Sequence, residues 1–123
     1  MMSLTAYVAA LAALALVALS LSVSLRRMKV GTELGLGDDG VLMRRIRAQG
    51  NFVEYVPLGL ILLGLAEYRG AAAVVLWAII GLLVLGRALH AAGLLTGKTP
   101  LRAAGMLATY AALLIGAGGA VAA

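Results

Sequence analysis

The chain contains no cysteine. That excludes a disulfide framework, a thiolate metal site and a cysteine nucleophile, so any sulfur chemistry has to arrive with a ligand. Aromatic residues are scarce too, with one tryptophan, four tyrosines and one phenylalanine in 123 residues. The net charge of +5 therefore lacks the aromatic interleaving of a nucleic-acid surface, and its basic residues bunch beside apolar runs. Such a distribution speaks against nucleic acid and for orientation in a membrane. A single histidine and five carboxylates give no serine-histidine-aspartate set, no carboxylate pair at catalytic spacing and no metal cluster.

What is abundant is hydrophobic side chain, 63% of the residues, with a mean hydropathy of +1.06. The solvent for most of the chain is lipid. Four apolar segments, about 1–27, 41–68, 71–95 and 101–122, are each long enough to cross a hydrocarbon core of ~30 Å at ~1.5 Å per residue. The first reads as a span rather than a cleaved signal, because Arg26, Arg27 and Lys29 follow the apolar run instead of preceding it. Residues 1–123 are expected to form one all-α domain, an integral membrane four-helix bundle with short connections.

The connections after the first and third segments carry most of the cations, including Arg26, Arg27, Lys29, Arg44, Arg45, Lys98 and Arg102. By the positive-inside rule both termini face away from the cytoplasm. Gly105, Ala108, Ala112 and Gly116 offer the fourth helix a face for close approach. Gly35 to Gly40 matches G-x-G-x-x-G, but with no preceding strand and with Asp38 and Asp39 inside it, so it reads as a loop.

The polar residues of the second segment are not scattered. Arg47, Asn51, Glu54 and Tyr55 follow the spacing i, i+4, i+7, i+8, which gathers them on one side of a helix, and Arg44 extends the stripe outward. Glu54 lies roughly 10 Å inward of Arg47, where an unpaired carboxylate costs on the order of 2.5 to 3.5 kcal/mol. Arg87 on the third helix reaches a similar depth from the same side, with His90 one turn nearer the surface. A Glu54–Arg87 ion pair is expected, leaving a surplus of cations suited to an anionic ligand or to anionic lipid head groups.

These residues resemble a known family, the membrane-associated proteins in eicosanoid and glutathione metabolism. The likeness rests on RAQGNFVEYVP at residues 47–57, on GRALHAAGL at 86–94 with Arg102 following, and on the Arg26-Arg27 pair. It implies a homotrimer with glutathione as cofactor between subunits, and a glutathione transferase or peroxidase acting on hydrophobic electrophiles or lipid hydroperoxides. By the same resemblance Arg26, Arg47, Gln49, Asn51, Glu54, Tyr55, Arg87 and His90 would bind glutathione. Arg102 would stabilise its thiolate, with Arg27 as an accessory. His90 and Leu94 stand where the eicosanoid-forming members carry tyrosines, and these departures point to the bacterial branch and its inner membrane. A non-catalytic lipid-binding scaffold and, behind it, a small transporter are the alternatives.

Overall fold

The computed structural model describes residues 2–122; Met1 and Ala123, the outermost positions of the expected domain, lie outside the described residues. Four helices follow one another, α1 (Ser3–Val30), α2 (Gly40–Tyr68), α3 (Ala73–Thr96) and α4 (Thr99–Ala122). All four are long and apolar enough to span a membrane. The protein is an all-α membrane bundle. The expected segments are recovered, but α1 runs a turn further than hydropathy suggested. Arg26 to Lys29 continue the helix until Gly31 adopts φ 75° and closes it, its N–H donating to the Arg27 carbonyl at 2.9 Å.

α2 is the central element, packed against each of the other three helices. A core of Leu63 and Ala66 on α2 with Leu76, Ile79 and Ile80 on α3 fills one half of the bundle. α1 is held to α2 by polar contacts at both ends. At one end the Glu67 carboxylate of α2 accepts from the backbone N–H groups of Leu4 and Thr5, each at 2.9 Å, and from the Thr5 hydroxyl at 2.8 Å. A side chain of one helix thus caps the orphan donors of another, which matters in lipid because no water is there to satisfy them.

At the other end Asp39 caps α2 through the Leu42 N–H (2.8 Å) and receives a two-pronged contact from Arg26, Nε at 2.8 Å and Nη2 at 2.9 Å. The Arg26 guanidinium first, and the Leu42 amide second, hold the Asp39 carboxyl down to about 2. Since the unfolded value is ~3.9, this contribution to stability is complete above that pH and fades as pH falls through about 2. Between the caps, Gln49 Nε2 donates to Ser20 Oγ at 3.0 Å and Arg45 Nη1 to the Ser22 carbonyl at 3.1 Å.

The closest approach in the bundle joins α3 to α4. A Cβ added at Gly93 would stand 2.3 Å from the Arg102 nitrogen, one at Gly105 2.3 Å from the His90 nitrogen, and one at Gly86 2.8 Å from the Gly105 carbonyl. Backbone meets backbone there, as small residues permit in membranes. The expected small-residue face of α4 is partly of this kind: Gly105 abuts α3, whereas Gly116 packs against Leu62 of α2. Gly93→Leu is expected to cost about 1–3 kcal/mol by forcing α3 and α4 apart. Gly81→Ala, where nothing lies within 4 Å of an added Cβ, should leave stability unchanged or slightly raised. Detergent-titrated unfolding followed by far-ultraviolet circular dichroism compares the two; equal behaviour would contradict the close contact.

Candidate functional site

A cleft of about 450 Å³ opens between α2, α3 and α4, lined by Arg47, Asn51, Glu54 and Tyr55 from α2 and by His90 and Leu94 from α3, with Thr99, Arg102, Met106 and Tyr110 from α4. Six of the residues proposed from sequence therefore meet in one place. Arg47, Glu54 and Arg102 are exposed to it, and among the described residues no hydrogen bond or ion pair engages their side chains. His90 is 5% exposed, seated where Gly105 lets α4 pass close to α3.

Arg87 sits behind this cleft and its surroundings correct the expected ion pair. Glu54 is not its partner. Its Nη1 donates to Asn51 Oδ1, its Nη2 to Thr109 Oγ1 at 2.9 Å, and the same nitrogen lies 3.5 Å from Met106 Sδ. The guanidinium carbon is 5.6 Å from the centre of the Tyr55 ring, which in turn meets Tyr110 edge-to-face at 5.9 Å. Thr109 is fully buried, and its hydroxyl donates to the Gly105 carbonyl at 2.8 Å. Two oxygen acceptors, a thioether and an aromatic face thus solvate the cation without a carboxylate.

Helical geometry explains the difference. At about 100° per residue, Asn51 and Tyr55 point within ~40° of each other, while Glu54 is turned ~100° from Tyr55. Arg87 enters between the first two and leaves Glu54 on the cleft side. The stripe on α2 is broad enough to have two edges, one facing a buried cation and one facing open space.

Arg26, Arg27, Gln49 and Arg87 are not brought to the cleft surface. Arg26 and Gln49 are engaged along the α1–α2 seam, and Arg27 Nη1 donates to the Gly35 carbonyl at 2.7 Å in the following loop. Thr109 and Tyr110 were missed, although a signal was present. Arg102, Met106, Thr109 and Tyr110 repeat on α4 the i, i+4, i+7, i+8 spacing of Arg47, Asn51, Glu54 and Tyr55 on α2. Two helices present matching arcs to one another.

A model of the MAPEG family matches residues 5–122. The chain belongs to the MAPEG family. It is also 34% identical over 111 residues to the inner membrane protein YecN of Escherichia coli strain K12, covering 90% of this chain and 85% of that one. The YecN of Escherichia coli O6:H1 matches to the same extent.

In this MAPEG protein the solvation of Arg87 by neutral groups makes a specific prediction. Thr109→Val, nearly isosteric, removes a buried acceptor from a cation and should cost about 1–3 kcal/mol of stability. Glu54→Gln should stay within about 0.5 kcal/mol of wild type. Unfolding titrations of the purified variants measure both; a large loss from Glu54→Gln with none from Thr109→Val would restore the ion-pair reading.

Proposed function

We propose that the cleft binds glutathione and that the protein is a membrane-bound glutathione transferase or peroxidase for hydrophobic electrophiles or lipid hydroperoxides. The observation that carries this reading is the set of unengaged charges on one cleft, the cations Arg47 and Arg102 with the carboxylate Glu54. Glutathione is a tripeptide with two carboxylates, one ammonium and a thiol, and that set of charges is complementary to it. Membership of the MAPEG family supports the same ligand class. Kinship with an inner membrane protein supports placement in a bacterial inner membrane, and the bunching of cations in two connections argues for those connections being cytoplasmic and both termini lying on the other side.

Each residue has a definable task. Arg47 and Asn51 offer donors to carboxylate or carbonyl oxygen, and Glu54 accepts from an ammonium. Arg102 would supply a fixed positive charge for the sulfur. In a low-dielectric setting such a charge favours thiolate over thiol, whose ordinary pKa is ~8.5. The bound tripeptide would supply the thiolate that attacks an electrophile or reduces a hydroperoxide. Leu94 and Met106 give the cleft an apolar margin. In a homotrimer, Arg26, Arg27 and Gln49 on the α1 side of one copy would reach the cleft of the next only by giving up the contacts they make within their own subunit.

A second reading, a non-catalytic lipid-binding member, is favoured by a separate apolar groove of about 430 Å³ between α1, α2 and α3. Ultraviolet difference spectroscopy at neutral pH separates the two. Added glutathione is expected to produce a saturable thiolate band with the wild type, and Arg102→Ala to keep most of the binding while losing the band. A protein that binds fatty acid but gives no thiolate band would favour the second reading. A full band in Arg102→Ala would assign activation to another group.

A further inference from the structure

Arg87 and Asn51 are in contact, and the chemistry of the two side chains fixes more than their distance. A guanidinium has donors and no acceptor, so the side-chain amide facing it must turn its oxygen toward it. That is the arrangement seen, Arg87 Nη1 donating to Asn51 Oδ1. The planar amide then turns its NH₂ the other way. Asn51 also lines the cleft, whereas Arg87 lines the apolar groove on the opposite side of the α2–α3 seam.

Arg87 is itself poorly placed to touch a ligand in the cleft. Its Nη2 is committed to Thr109 and Met106, its plane is covered by Tyr55, and its Nε is buried with no hydrogen-bond partner among the described residues. Thr109 is anchored to the Gly105 carbonyl at the close α3–α4 contact, so the position of the guanidinium is referred to the backbone. The chain Gly105, Thr109, Arg87, Asn51 runs from that contact to the cleft wall.

We infer that Arg87 is a positioning residue that sets the polarity of Asn51, so that Asn51 presents only donors to the cleft and the ligand group seated there is an acceptor, a carboxylate or a carbonyl. This rests on the glutathione reading for the identity of the ligand, but not for the orientation of the amide. The cleft then carries donors at Arg47, Asn51 and Arg102 and its carboxylate at Glu54, so a bound zwitterion has one direction in which to lie. Rotating the Asn51 amide would face oxygen with oxygen and weaken binding without changing any charge.

One substitution that tests this role is Asn51→Asp, read together with the charge-neutral evidence of the Asn51 side-chain resonances below. A carboxylate keeps the acceptor for Arg87 and leaves the fold intact, but offers the cleft an acceptor where a donor is required. Titration calorimetry of the full-length protein in detergent should show glutathione binding weakened by about tenfold or more in Asn51→Asp, with resistance to unfolding equal to or above wild type. Arg87→Leu should also weaken binding, and Arg87→Lys, which keeps a donor for Oδ1, should restore part of it.

Asn51 is the chain's sole asparagine, so selective ¹⁵N-asparagine labelling gives one side-chain NH₂ resonance pair. The pair should exchange with water through the cleft and shift on Arg87→Lys. Wild-type affinity in Asn51→Asp would overturn the proposal. So would a slowly exchanging NH₂ pair unmoved by Arg87→Lys. Absence of glutathione binding in the wild type would overturn the functional reading, and the NH₂ pair would still decide the orientation.

Discussion

A guanidinium inside a membrane protein has to be solvated by the protein, and the arrangement around Arg87 follows from that requirement. Lipid offers no hydrogen bond and no counter-ion, so each side chain that reaches the cation replaces water. Asn51, Thr109, Met106 and Tyr55 do so, from two different helices. Thr109 is within reach because Gly86, Gly93 and Gly105 let α3 and α4 touch through their backbones. With β-carbons at those positions the helices would separate, and the cation would lose one of its two oxygen acceptors.

Neutral solvation has a consequence for the cleft. Had Glu54 neutralised Arg87, the carboxylate would have been buried with it and the cleft would have been purely cationic. Instead Glu54 stays on the cleft side beside Arg47 and Arg102, giving a wall with both signs of charge. Such a wall discriminates among small zwitterions by direction as well as by charge. The α2–α3 seam divides this polar space from the apolar groove on its other side, so one subunit carries a charged cavity and an apolar one.

The four spans were legible from composition and length alone, because a segment that crosses lipid has to be apolar over its whole length. The polar arc of α2 was legible from spacing, and with it most of the cleft. The partner of Arg87 was not. Depth along the helix placed Glu54 and Arg87 together, but the azimuth that separates Glu54 from Asn51 by ~60° decided otherwise. The α4 arc repeats the α2 spacing, but after Arg102 its next members are Met106 and Thr109, which carry no charge to mark it. The caps of Asp39 and Glu67 depend on where α2 and α1 begin, and hydropathy does not locate helix ends in the interface. The closure of Arg26 on Asp39 within the subunit was not legible for the same reason.

The most direct measurement is a pair of double-mutant cycles on unfolding free energy, Arg87→Gln combined with Asn51→Ala and Arg87→Gln combined with Glu54→Ala. Residues in contact couple by about 0.5–3 kcal/mol, whereas independent ones add to within about 0.3–0.5 kcal/mol. Coupling in the Asn51 cycle and additivity in the Glu54 cycle is the result this account predicts. Coupling in the Glu54 cycle with additivity in the Asn51 cycle would mean that the carboxylate neutralises the buried cation and that the cleft lacks its mixed charge.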